Sequence, residues 1–372
     1  MAADGTLGPS ARVFDAGGVG QRATHITPPG KPPSFFSPGP DPLFTQGAVV
    51  VNQKARILAT VNPGSNTVSL FHIDAEDPTK LTPFGKPANS GGEFPIAVTI
   101  NSEGTTVCVL NGGAVNGVNC FSVNPILGLV PKPNTLRFLN VNQTTPPTGP
   151  LGSLSTIVFS HDESKLLTLV KGGKDVTPNA FLAAWAFGPD GSLSKNAVKS
   201  FTADDGRVPF TLVNIPGSNA YVAGDPTVGF EIFDFGNSTS LSATGISTPI
   251  PNQILACWVS YNPISGNFYI IDPVLSTITE VHFDAKLNST IVKQYVPLAN
   301  SGTLDNIVSI IGKHSFLHIL QPLTSSITTL SVDRPGGALP VQIFNLTSAL
   351  KDAGLSTYNN LNFQGMATYI LK

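Results

Sequence analysis

Apolar positions along this chain come in short continuous runs, not at the three-to-four spacing of an amphipathic helix. The runs recur in one pattern: a first run, a polar turn, a second run, another turn and a third run. Copies begin at Gln46, Glu93, Ser155, Arg207, Ala256 and Asp305. Their spacing of roughly 50 residues is that of four-stranded propeller blades. Each copy opens on a first run such as AVVV, IAVTI, TIVF, FTLV, WVSY or IVSII. Runs apolar at every position suit strands enclosed on both faces. The turns that follow are hairpin chemistry, among them Asn101-Ser-Glu-Gly, Asn214-Ile-Pro-Gly-Ser-Asn and Asn262-Pro-Ile-Ser-Gly-Asn. A seventh copy starts at Asn362 and stops after one strand. The pattern predicts an all-β fold, a seven-bladed propeller. Its last blade would join the C-terminal strand to N-terminal strands, including Ala11–Ala16. Residues 1–372 then form one domain, with 1–42 contributing to the closing blade.

Composition fits this reading. The chain of 372 residues is 41% hydrophobic and 12% charged, with 36 Gly and 32 Pro, which suits short strands and tight turns and argues against disorder. A net charge of −2 supplies no basic footprint for nucleic acid or an acidic membrane. No apolar run is long enough to span a bilayer. Four sequons, at Asn142, Asn237, Asn288 and Asn345, fall between blade cores, where a glycan can be carried. Cys108 and Cys120 fall on the second and third strands of one blade, where they are expected to pair as a disulfide, the alternative being two buried thiols, and Cys257 is expected to be free. The sequons and this pair favour a secreted protein, although the opening MAADGTLGPS has no signal-peptide character.

In a propeller of this register, one face gathers the starts of the inner strands and the hairpins joining strands two and three. The inner-strand starts bring Gln46, Glu93, Thr156, Arg207, Phe210, Cys257, Trp258, Asp305, Asn306 and Asn362 toward one funnel. The hairpins add Asn62, Asn111, Lys171, Asp225, Asp272 and Gln321. Ligands favour such concave sites with few polar groups. Three of these residues have chemistry-bearing types: Arg207 as an anion clamp, and Glu93 or Asp305 as a proton-transfer group. The remaining inner-strand residues are substrate-binding candidates. Each has a plainer alternative: Arg207 paired with Asp204 or Asp205, Glu93 a solvated loop carboxylate, Cys257 a buried structural thiol. Lys171 and Lys174 are expected in a solvated loop, since no phosphate-loop spacing surrounds them. Asp225 and Asp272 each precede a proline, which turn chemistry explains more simply than calcium. No Gly-x-Ser-x-Gly, paired-histidine or Cys-x-x-Cys pattern occurs, so neither cofactor nor metal is expected.

Several segments together resemble the fungal 3-carboxymuconate cyclase-like proteins of the lactonase superfamily. They are Pro63-Gly-Ser-Asn-Thr-Val-Ser, Asp77-Pro-Thr-Lys-Leu-Thr, Thr144-Thr-Pro-Pro-Thr-Gly-Pro, Phe159-Ser-His-Asp-Glu-Ser-Lys and Gln364-Gly-Met-Ala, with the Cys108/Cys120 pair. The resemblance runs from about Leu43 to the C-terminus. It implies seven blades, secretion, glycosylation and cofactor-free interconversion of a carboxymuconate and its lactone. It also implies a funnel holding a histidine, arginines and a glutamate. Here the chain departs: none of its six histidines starts an inner strand, and Ser153-Leu-Ser-Thr stands where a histidine is expected. Two functions follow. One is a secreted, cofactor-independent isomerase or lyase acting, as a monomer, on a small carboxylated or phenol-derived molecule. The other is a non-catalytic extracellular glycoprotein that binds a small ligand, glycan or wall component.

Overall fold

The computed structural model describes residues 1–26, 39–172 and 179–371. Within these, six antiparallel sheets follow one another along the chain, each running from inner to outer strand in sequence order. Their inner strands are Val49–Asn52, Pro95–Ile100, Leu154–Phe159, Val213–Ile215, Trp258–Asn262 and Asn306–Ile311. The second strands are Ile57–Asn62, Thr106–Asn111, Lys165–Val170, Ala220–Asp225, Asn267–Asp272 and His314–Gln321. The second strands of blades two to six are almost wholly buried, buried polar residues such as Thr168 and Asp225 included. The largely apolar inner strands of blades one and six are instead half-buried along much of their length, and so are not enclosed on both faces as expected. Outer strands such as Ser289–Tyr295 and Leu339–Asn345 are mostly half-buried or exposed and correspondingly mixed in polarity. The chain is therefore an all-β propeller. A short helix, Leu346–Asp352, is capped by Asn345, whose side chain accepts from the Thr347 and Ser348 amides.

The seventh position differs from expectation. Among the described residues, neither Asn362–Leu371 nor Ala11–Ala16 carries strand pairing. The C-terminal segment instead lies between blades six and one, where side chains hold part of its backbone. The Met366 amide donates to Asp305 Oδ2 at 3.1 Å and the Ile370 amide to Gln53 Oε1 at 3.0 Å. The N-terminal segment spans the same interval. The Leu7 amide donates to Gln342 of blade six at 2.7 Å, and the Ala16 carbonyl accepts from Ser69 of blade one at 2.6 Å.

In blade two, Cys108 and Cys120 stand opposite one another in register, 4.0 Å apart at Cα, and form a disulfide. Cys257 is free and buried. Thiol titration of the denatured, unreduced protein should therefore find one reactive thiol; three would remove the disulfide.

Candidate functional site

The hairpin residues expected at one face form a ring. Asn62, Asn111, Lys171, Asp225, Asp272 and Gln321 each stand at or just after the end of a second strand, and all are buried. Most anchor their own blade. Asp225 Oδ2 accepts the Arg207 and Val208 amides at 2.9 and 2.8 Å, and its Oδ1 accepts the Thr227 amide at 2.8 Å. Asp272 repeats the arrangement, with Oδ2 accepting from Ile254 and Leu255 and Oδ1 from Val274 and Leu275. Backbone amides thus take up both carboxylates, in line with turn chemistry. No cluster of three His, Cys, Asp or Glu suited to a metal occurs among the described residues.

Blade three breaks the pattern. Lys171 is not in a solvated loop but fully buried. Its Nζ donates to Phe44 O at 2.6 Å, Leu154 O at 2.9 Å and Ser153 Oγ at 3.1 Å, and lies 4.6 Å from the centre of the Phe210 ring. Lys174 lies outside the described residues. A cation in this ring reaches into the axis because the axis is occupied by the chain's own residues.

That occupant is the segment Asp41–Gln46, just before the first inner strand. Gln46 crosses the axis: its Nε2 donates to Asp305 Oδ1 at 3.0 Å and to Val259 O at 3.2 Å. Its Oε1 accepts from Thr211 Oγ1 at 2.7 Å and from the Val259 amide at 3.2 Å. Thr45 Oγ1 donates to Ser155 O at 2.6 Å. The Thr45 carbonyl accepts from Trp258 Nε1 at 3.2 Å and from Gln364 Nε2 at 2.8 Å. Blades three to six and the C-terminal segment therefore meet on three residues. Phe44 holds a left-handed conformation at φ 56°, which is costly for an aromatic residue.

The segment divides the mouth of the funnel. On one side is a tight cavity of about 30 Å³, lined by His25, Asp41, Phe44, Phe210, Cys257 and Trp258. On the other is a cleft of about 550 Å³, lined by Gln21, Arg22, Thr60, Asn362 and Gln364 with Pro42 and Leu43. Burial dominates the electrostatics of the tight side. It lowers the His25 pKa to about 4, assisted by the Arg22 charge, and His25 places neither ring nitrogen in a well-formed hydrogen bond among the described residues. Burial raises the Asp41 carboxyl and lowers the Lys171 ammonium, each opposed by the other's charge. The Cys257 thiol is pushed well up, again by burial, which disfavours a thiolate nucleophile.

The expected site residues divide accordingly. Phe210, Cys257 and Trp258 meet around the tight cavity. Gln46 and Asp305 bond to each other, while Asn306 turns toward blade five, donating to Ser260 Oγ at 2.9 Å and Tyr269 O at 3.1 Å. Asn362 borders the open cleft and accepts from Arg22 at 2.7 Å. Thr156 is buried within blade three. The proposed catalytic trio is not gathered by any common partner. Glu93 accepts from Thr145 Oγ1, and the Arg207 side chain makes no hydrogen bond or ion pair among the described residues. Arg22, His25 and Asp41 went unnoticed because they precede the repeats. The one sequence signal was the apolar island Pro42-Leu-Phe beside the first inner strand. All four sequon asparagines are exposed.

Asp305 gives the site a pH signature. Burial raises its pKa to about 7, against the Asn306 and Met366 amides, which favour the charged form. A carboxyl raised on folding binds more protons in the folded state, so it stabilises at low pH and loses that contribution as pH rises toward and through 7. Asp305→Asn should flatten the fall in melting temperature between about pH 4 and 7. An unchanged slope would show that Asp305 is not held neutral.

By sequence, the chain matches no protein-family model and no curated protein. By structure, it is similar to two Bacteroides proteins provisionally described as 6-phosphogluconolactonases. The one from Bacteroides fragilis has a TM-score of 0.59 at 14% identity, covering 81% of this chain and 83% of that one. The one from Bacteroides uniformis has the same score and identity, covering 80% and 81%. A periplasmic gluconolactonase of Pseudomonas aeruginosa follows at 0.56 and 15%, covering 75% and 78%. At these identities the likeness establishes a shared propeller architecture.

Proposed function

We propose that the chain is a cofactor-independent enzyme of the isomerase or lyase kind, lactonase- or cyclase-like. Its substrate would be a small carboxylated or phenol-derived molecule in the open cleft. The observation that carries this reading is the cleft between blade one and the two terminal segments, about 550 Å³ in volume and bordered by Arg22. That volume suits a small ligand. Arg22 donates to Leu361 O at 2.6 Å, to Asn362 Oδ1 at 2.7 Å and to Gly39 O. Three bonds leave two of a guanidinium's five donors unengaged among the described residues, enough to fork a carboxylate. Asp41 lines the tight cavity behind Pro42 and not the cleft itself; its pKa raised by burial, it is the titratable carboxyl next to the cleft wall, and this reading assigns it the proton transfer. Glu93 and Arg207 lack a shared partner with it, so Arg22 and Asp41 take over those roles. The lactonase descriptions of the structural neighbours point the same way, and a carboxymuconate-type acid is the finer proposal for the substrate. The disulfide and the exposed sequons support secretion as a glycoprotein. We assign both terminal segments to a seventh blade position, and treat the protein as a monomer.

The alternative, a non-catalytic binding glycoprotein, is favoured by one observation: the axis is filled by the protein's own chain. Turnover of a panel of carboxylated and neutral lactones separates the two. Arg22→Lys keeps the charge and loses the fork, so it should weaken an anionic ligand by about 1.5–3 kcal/mol. Asp41→Asn should slow turnover by roughly 10²-fold or more with binding little changed. Binding without turnover across the panel would establish the alternative, and full activity of both variants would remove these residues from the chemistry.

A further inference from the structure

Five hydrogen-bond donors converge on three oxygens of the axial segment. Lys171 Nζ serves Phe44 O, Trp258 Nε1 and Gln364 Nε2 serve Thr45 O, and Thr211 Oγ1 and the Val259 amide serve Gln46 Oε1. These donors come from four different parts of the chain and face inward. Seen without the segment, they are the lining expected of a pocket for an oxygen-rich anion. We propose that Phe44–Gln46 is an internal occupant that holds closed a latent axial site for a small oxyanion, a carboxylate or a phosphate.

Two further observations separate this from ordinary structural packing. The first is charge. The other ring positions hold neutral amides or carboxylates, most of them bonded within their own blade, whereas Lys171 sends a cation to the axis. Burying a cation to meet only neutral oxygens is expensive unless a counter-charge is close. Asp41, on the same segment as the occupying oxygens, is the carboxyl whose charge acts on Lys171, although burial draws both toward their neutral forms and they form no ion pair among the described residues. If the segment withdraws, the oxygens and the Asp41 carboxyl leave together, and Lys171 then favours a replacement that brings oxygens and a negative charge. The second is strain. Phe44 at φ 56° and Asp41 at φ 65° place two non-glycine residues of one short segment in the left-handed region. Strain of this kind subtracts from the hold of the occupant and leaves it exchangeable. Gln364 donates to Thr45 and also lines the open cleft, so the latent site adjoins the space from which a ligand would arrive.

The inference rests on the reading that ligands enter at this face, and not on turnover. Its test therefore measures binding. The chain has two tryptophans, so a Trp185→Phe background leaves Trp258 as the only indole and reports directly on its bond to Thr45. Inorganic phosphate, succinate and the neutral glucono-1,5-lactone are titrated against Trp258 emission, in that background and with Thr45→Val or Gln46→Ala added. Loosening an internal competitor raises the competent fraction, so the anions should bind about tenfold more tightly to the loosened variants. Lys171→Met should erase that gain. Preference between phosphate and succinate distinguishes a phosphorylated from a carboxylated ligand. Unchanged anion affinity in a folded Thr45→Val variant would overturn the proposal, as would a gain that survives Lys171→Met or is shared by the neutral lactone. Should the variants fail to fold, the unmodified chain decides. Saturating phosphate or succinate should speed hydrogen exchange at the Val259 amide, and unaltered exchange in both would equally overturn it.

Discussion

One glutamine side chain joins blades four, five and six across the axis. The Gln46 amide accepts from Thr211 and Val259 and donates to Asp305 and Val259, so both ends of its dipole are used. A ring of separate sheets has a closure problem, because each sheet is stabilised mainly within itself and against its two neighbours. Propellers commonly solve it by pairing strands from the two termini. Here Asn362–Leu371 and Ala11–Ala16 pair with no strand, the N-terminal region contributing only the short parallel pairing of Thr24–His25 with Thr148–Gly149. Bonds that converge on the axis add cross-links between blades. Removing one partner of such a group leaves several buried donors and acceptors unpaired at once, which costs far more than a single surface hydrogen bond.

The same constraint explains the electrostatics at the mouth. A segment threaded into the axis excludes water, so the ionisable groups beside it are pushed toward their neutral forms. Asp305, Asp41 and His25 all move in that direction, and Lys171 with them. Lys171 retains three acceptors, so burial and hydrogen bonding pull its protonation in opposite senses. Groups balanced in this way are available for proton transfer, and they also respond to any ligand that changes the local charge.

Much of the fold was legible in the sequence, for a definite reason. Each of the first six repeats buries its own strands, so periodicity and turn chemistry reveal a blade without knowledge of the rest. The Cys108–Cys120 pairing was expected from their places on adjacent strands of one blade, and the register puts them opposite one another. The site was less legible. Phe210, Cys257 and Trp258 were expected toward a funnel together with seven other inner-strand residues, and these three line the tight cavity. Lys171 was misjudged because local Gly-rich sequence says nothing of what fills the axis nearby. Asp41, Arg22 and His25 lie outside any repeat, where no periodic pattern reports on burial. The seventh sheet was inferred from a truncated copy, but a copy shows only that a strand-like segment exists. Whether it pairs depends on partners distant in sequence.

The central claim is that the axial segment, more than the C-terminal segment, holds the ring together. Equilibrium denaturation of Gln46→Ala and of a chain lacking residues 366–372 tests it directly. The account predicts one cooperative transition in each, with Gln46→Ala losing about 3 kcal/mol or more, because buried partners on three blades are orphaned together. The truncation should lose less. A near-neutral Gln46→Ala beside a strongly destabilised truncation would contradict the account and return closure of the ring to the terminal strands.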